Sequence, residues 1–506
     1  MSRSGRVLLA LVFAAWCAAT IAGAVAHEPW WDEAQAWLIA RDSPLLELFT
    51  QQLRYEGHPP LWYLILAVPA KLGLPYASLK VIGVLCGAAS AFLLLFGFPR
   101  VPLYVRVLGP FGLFVAYQYT VVVRSYALIL PLLLLIARMY DARHQRPGRL
   151  VVLLIVLSNV SVHGFAIACG LGALFLFDVA SGRVPRPSRR AFLTSAAAFV
   201  LNAIVLAIVL WPAGDNRSYV HHHGRPFDPA RHTFIATSVV PDLFLAPMRE
   251  ESPVLAVTRV TLAMTVLAIP VLWIFRRGAG APFVLALLGV YAITLRYYAM
   301  WHLGLFYFVL LFALVLAFER RRHGALDKAA QVAIALLLLR HAEWAARSLR
   351  YDLRAEATGS KRAAEFVGAQ GLHHRQLYGT GAAVIELQPY FPANIIDNYR
   401  YGGRTFWDYS SGNAWPYPKF TTASRQEMSR WFARLLAERP EYIVYAGGIL
   451  EDELYAPGLF RNSNYVRMAS FGGYTYWKDA EMWRITFHVF RRADMPPASG
   501  PRSVAR

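Results

Sequence analysis

Long apolar runs separated by short polar stretches fill the first 345 residues of this 506-residue chain. A helix needs about 20 predominantly apolar residues to cross a hydrocarbon core of about 30 Å. By that measure spans are predicted near 6–26, 80–98, 103–121, 126–140, 149–163, 164–181, 191–211, 254–275, 281–297, 303–319 and 326–345, about eleven in all. Arg3 and Arg6 ahead of a run ending in Ala24-Val25-Ala26 also have the layout of a cleavable signal peptide, but an uncleaved first span fits the topology below. The stretch "PPLWYLILAVPAKLG" at 59–73 is short for a span, opens on two prolines and carries Pro69 and Lys71. It is predicted to lie along the membrane interface as an amphipathic or re-entrant helix.

Composition agrees with this pattern. Hydrophobic residues make up 57% of the chain and charged residues only 16%, the balance of a polytopic α-helical membrane protein. The net charge of +20 does not point to nucleic acid, because Lys and Arg fall in short clusters between apolar runs. Arg3 and Arg6; Arg100 and Arg106; Arg138, Arg143, Arg146 and Arg149; Arg183, Arg186, Arg189 and Arg190; Arg276 and Arg277; and Arg320, Arg321 and Arg322 all fall on one side. The positive-inside rule makes that side the cytoplasm. The first outer loop is then about 27–79, and Arg124 with Tyr126, His163, the loop 212–253 and "RYYAMWHLG" at 296–304 share the outer face. Cys17, Cys86 and Cys169 each sit in an apolar stretch and read as packing residues.

Beyond about residue 346 the chain is less apolar. Turn signals at Gly371, Gly379, Gly381 and 401–403, strands at "EYIVYAG", "NYVRMASFGG" and "WRITFHVF", and a helix at about 425–438 predict an α/β domain. The expected organisation is a transmembrane domain at 1–345, an extracytoplasmic, periplasmic α/β domain at 346–495 and a disordered tail at 496–506. "GLHHRQLYGTGA" lacks phosphate-loop spacing and reads as a turn and strand of that domain. Ala- and Arg-rich usage suggests a bacterial inner membrane.

The outer loop carries chemistry. "PWWDEAQAW" at 29–37 sets Asp32 and Glu33 among tryptophans at a membrane boundary, and "YEGHPPLW" follows in the same loop, where Pro-Pro after His58 directs the chain rigidly. Ionisable groups near a membrane core are costly and commonly functional. The acid pair, "HPPLW" and the later "VVVRSYAL" together resemble the GT-C membrane glycosyltransferases, in the branch of the protein O-mannosyltransferases and the lipid A aminoarabinose transferases. The resemblance covers the layout of the membrane portion and the motifs between about 27 and 130.

It implies an inverting transferase that moves a sugar from a polyprenyl-phosphate carrier to an acceptor hydroxyl at the outer membrane surface. Asp32 would be the base, with Glu33 orienting it or contacting the sugar. Arg124 would clamp the leaving phosphate, with Tyr126 nearby and His58 as a second phosphate or acceptor contact. Arg296 and His302 stand open between a donor-phosphate contact and an interfacial anchor, and His163 between lining the site and a helix-end hydrogen bond. "HHH" at 221–223, with Asp215 and Asp228 nearby, does not present three ligands to one ion on an extended loop and reads as a flexible acceptor-binding loop; some GT-C branches work without metal, so the resemblance requires no metal or other cofactor. The motif "NYRYGGRTFWDYSSG" in the C-terminal domain departs from the mannosyltransferases, leaving the acceptor open among protein, lipid and glycan. A transporter or flippase of lipid-linked glycans is the alternative, disfavoured by polar groups gathered at one face and by the absence of paired halves.

Overall fold

The computed structural model describes residues 3–216, 228–245, 252–320, 324, 326–399, 405–407, 409, 433–447 and 463–496. Outside them lie the triple histidine at 221–223, the turn at 401–403, most of "NYRYGGRTFWDYSSG" and of the expected helix at 425–438, and nearly all of the tail.

The chain is helical, and among the described residues seven helices are long and apolar enough to cross a membrane. They are α1 (Arg3–Ala26), α4 (Ser78–Phe96), Ser125–Ala142 around α5 (Ile129–Met139), α7 (Val162–Ala180), α8 (Arg189–Leu210), α9 (Pro253–Arg276) and Met300–Glu319, the last containing α11 (Leu303–Glu319). The four remaining predicted spans take other forms. Residues 103–121 do not form one helix but break at Gly109-Pro110 and Gly112 into short helical pieces and turns. Proline lacks the donor a helix interior needs, and glycine stabilises it poorly. Two more are short, α6 (Pro147–Ser158) and α10 (Gly280–Arg296), while α12 (Asp327–Asp352) is long but more polar.

Helix α11 is apolar on every side and buried from Leu303 to Phe318, which makes it the centre of the bundle. By contrast α8 exposes Val200, Leu201, Ile204, Val205 and Ile208, and α9 exposes Val254, Leu255, Val257 and Leu262, an apolar surface suited to lipid. Arginines gather at one end of the bundle, where Arg143 donates to Asp178 (2.7 Å) and Arg277 to Asp327 (3.0 Å).

At the other end, α2 (Trp31–Asp42) and α3 (Leu61–Lys71) pack together through Trp37, Ala40, Trp62 and Leu66. Helix α3 has 11 residues, roughly 16 Å at 1.5 Å each, so it is short for a span, as its prolines predict. His27 binds this end together. Its Nδ1–H donates to Asp352 at the end of α12 (2.9 Å) and its Nε2–H to Glu33 of α2 (3.3 Å). Burial opposes the charge on His27, but the two carboxylates outweigh it and push its pKa up to about 10. A raised folded-state pKa means that this stabilisation is complete below about 6.5, the ordinary histidine value, and fades as pH rises through 10.

The C-terminal domain begins with α13 (Ser360–Ala369) and forms a four-stranded mixed sheet in the order β1 (Leu377–Thr380), β2 (Tyr442–Gly447), β4 (Ala480–Arg492), β3 (Tyr465–Trp477). Strands β1 and β2 are parallel, with Leu377 opposite Tyr442; β2–β4 and β3–β4 are antiparallel. The tip of the β3–β4 hairpin reaches the helices, where Asp479 accepts from Arg340 (2.6 Å), Arg347 (2.8 Å) and the Trp344 indole (3.1 Å). Glu28 makes the second attachment, accepting from the backbone N–H groups of Thr358 (3.0 Å) and Gly359 (2.8 Å). Gly359 sits at φ +78°, where a side chain would also press on Phe471 and Gly472.

Glu28→Ala leaves two buried N–H groups without an acceptor, and a hydrogen bond to a charged group contributes about 1.5–3 kcal/mol. The variant is expected to insert and fold, with limited proteolysis cutting near 353–360 well before the wild type is cut.

Candidate functional site

The turn Glu28-Pro29-Trp30 leads into α2, where Trp30 is the N-cap and the Trp30 N–H donates to the Glu33 carboxylate (3.1 Å). Glu33 Oε1 also accepts from the backbone N–H of Val123 (2.8 Å). Glu33 therefore does not face the same space as Asp32. It is buried, with its oxygens engaged by Trp30, Val123 and His27, and it fixes α2 against the strand-like segment that precedes Arg124. Sequence reasoning left Glu33 between orienting Asp32 and contacting the sugar; its contacts hold the helix that carries Asp32.

Asp32, one residue earlier, turns outward and accepts from Arg124 Nη1, with the carboxylate 35% exposed and the guanidinium 12%. Arg124 stands over the rings of Trp30 (5.6 Å), Trp301 (5.6 Å) and Tyr126 (5.7 Å), contacts of about 0.5–1 kcal/mol each at exposed sites and more when desolvated. The Tyr119 hydroxyl, donating to the Trp301 carbonyl, holds that aromatic wall in place.

Behind Arg124 lies a histidine cluster. His302 Nδ1 accepts from the Ala299 N–H (3.2 Å), so in the neutral ring Nε2 carries the proton and donates to the Tyr126 hydroxyl (3.0 Å). The Tyr126 proton is then free to be given to a third group. His163, 1% exposed at the start of α7, lies 4.7 Å from His302 and 5.9 Å from Tyr126 between ring centroids. Neither of its ring nitrogens has a hydrogen-bond partner among the described residues, so it lines the cluster and makes no helix-end bond. His58 is brought to the same place by Gly57, a left-handed C-cap at φ 66°, and by the Leu61 N–H, which donates to Asn159 (3.2 Å) just before α7. Burial first, then Arg124, pushes the His58 pKa down to about 4 against the opposing pull of Asp32, and its Nδ1 is buried without a partner. Arg296 closes α10 as an exposed residue, while the adjoining Tyr297 contacts His302 at 5.1 Å.

Sequence reasoning missed one acid, although it stands in the quoted stretch "YEGHPPLW". Glu56 accepts from Gln35 (2.8 Å) and Tyr63 (3.4 Å). Desolvation pushes its pKa up to about 7; Asp32 adds to the shift, while Gln35, Tyr63 and Arg124 oppose it. An acid that holds its proton near neutrality beside a carboxylate and a guanidinium suits general acid–base work. Among the described residues, no group of three or more His, Cys, Asp or Glu side chains is placed to hold a metal ion.

Comparison with known proteins gives no match to any family model, curated protein or solved structure.

Because Glu56 is a stronger proton binder folded than unfolded, its ionisation weakens the fold progressively as pH rises from about 4.5 to about 7. Glu56→Gln removes that penalty. The variant is expected to gain about 1 kcal/mol over the wild type at pH 8 and little at pH 4, after discounting for solvent screening, as read by thermal unfolding at the two pH values.

Proposed function

We propose that the protein is an inverting glycosyltransferase that takes a sugar from a polyprenyl-phosphate donor and places it on an acceptor hydroxyl at the outer surface of the cytoplasmic membrane. The observation that carries this reading is the Asp32–Arg124 pair, at the end of the bundle opposite the arginine clusters and backed by His58, His163, Tyr126 and His302. Its motifs are those that resemble the GT-C glycosyltransferases, and the geometry is compatible with the roles that the resemblance implies.

A planar guanidinium at lipid head-group level matches phosphate oxygens while the polyprenyl tail stays in the bilayer. Arg124 is held by Asp32 before the donor arrives. The incoming phosphate competes for the guanidinium and leaves the Asp32 carboxylate free to accept a proton. The acceptor oxygen then bonds to the anomeric carbon from the face opposite the phosphate. As that bond forms, the carbon–oxygen bond to phosphate breaks and its electron pair leaves on the phosphate. The acceptor proton passes to Asp32, and Arg124 compensates the charge released on the phosphate. Tyr126, its oxygen already engaged by His302, offers its proton to the same anion, and neutral His58 is a second donor. Neither role requires a metal or cofactor.

The topology follows the same reading. With 103–121, α6, α10 and α12 counted as crossings beside the seven apolar helices, the proposed count is eleven, which would leave the C-terminal domain outside the cytoplasm. In a bacterial inner membrane that side is the periplasm.

Two measurements test this. Purified protein in nanodiscs should consume a polyprenyl-phosphate sugar and release polyprenyl phosphate, whereas Asp32→Asn, folded and inserted, should lose at least a thousandfold in turnover. Retained turnover in the variant removes the base. A topology reporter fused after residue 360 should read as extracytoplasmic, and a cytoplasmic signal would break the proposal as a whole.

A further inference from the structure

Between the Asp32 end of the helices and the β3–β4 hairpin lies an open cleft of about 490 Å³, measured out to open solvent. Its aromatic lining comes from both parts of the chain: Trp30, Tyr117 and Trp301 from the helical part, Tyr476, Trp477 and Trp483 from the sheet. Trp30 and Trp301 are the same indoles that flank Arg124, so the cleft shares a wall with the candidate site.

We infer that this cleft binds an uncharged saccharide, and that the acceptor hydroxyl of the proposed transfer belongs to a carbohydrate. Three observations carry this. Trp483 is 41% exposed on β4 and offers a flat apolar face, the surface on which the C–H face of a pyranose packs. The indole N–H groups of Trp30 and Trp301 are buried without a hydrogen-bond partner among the described residues, and Gln118, 6% exposed, lies on the cleft wall. Indole donors left unmatched beside aromatic faces are what a ligand rich in hydroxyls satisfies, and a buried polar group without a partner is otherwise costly. Finally, the ionic groups of the cleft are already committed: Glu28 to the backbone of Thr358 and Gly359, His27 to Glu33 and Asp352. Among the described residues lining it no cation is free for an anionic ligand, so phosphate chemistry belongs on the Arg124 side of the aromatic wall and neutral sugar on this side.

The inference rests on the transferase reading, and the test separates the two. Full-length protein in nanodiscs is titrated by calorimetry and saturation-transfer NMR with neutral gluco- and manno-oligosaccharides of two to four units, with a Ser/Thr-rich peptide, and separately with polyprenyl phosphate. Saccharide binding is expected, weakened at least tenfold by Trp483→Ala, partly restored by Trp483→Phe and weakened by Gln118→Leu, with polyprenyl-phosphate affinity unchanged in all three. No saccharide binding by the wild type, equal binding by Trp483→Ala, or peptide binding that the same substitution abolishes would overturn the inference. Saccharide binding without any polyprenyl-phosphate binding would instead remove the transferase and leave the cleft standing.

Discussion

The structure depends on one buried cation. His27, immediately after the first apolar helix, is held between Glu33 of the next helix and Asp352 at the end of the last long helix of the bundle, and Asp352 also accepts from the Tyr117 hydroxyl (3.0 Å). A buried charge is tolerated only when paired and hydrogen-bonded, and this one has a carboxylate on each ring nitrogen. The arrangement joins segments more than 300 residues apart and fixes the helix that carries Asp32. Its neighbour Glu28 pins the C-terminal domain to the same turn. One short stretch, from His27 to Glu33, thus determines where the carboxylate, the aromatic wall and the sheet domain stand relative to one another.

Against that fixed frame the Asp32–Arg124 contact is the more exposed part. Glu33 is buried and accepts from three donors, whereas Asp32 pairs with Arg124 and keeps a partly exposed carboxylate. Adjacent acids of the same chemical type are therefore divided by burial and by partners into one that is held and one that is open. Glu56, protonated near neutrality beside them, gives the site a second group able to hold or release a proton.

Much of this was legible in the sequence. Apolar runs located the seven long helices, and the prolines of 59–73 marked α3 as too short and interrupted to span. Strand alternation located β2, β3 and β4 within a few residues, and "GLHHRQLYGTGA" contained β1. Asp32, Arg124, Tyr126, His58, His163 and His302 converge as their shared position at one end of the helices suggested. What escaped depends on contacts between distant segments. The pairing of His27 with Asp352 has no local signal, and the shift at Glu56 arises from desolvation and from Gln35, which no spacing rule reports. The break within 103–121 was marked by Gly109-Pro110 and Gly112 but hidden by the hydrophobicity around them.

The proposed exchange of Arg124 between Asp32 and a lipid phosphate is tested most directly by the affinity of the protein in nanodiscs for polyprenyl phosphate, comparing wild type with Asp32→Asn. If the donor must displace Asp32 from Arg124, neutralising Asp32 removes the competitor and binding tightens by about tenfold, equivalent to about 1.4 kcal/mol. Weaker or unchanged binding in Asp32→Asn would mean that phosphate does not take the place of this carboxylate on Arg124, and the proposed mechanism would fall.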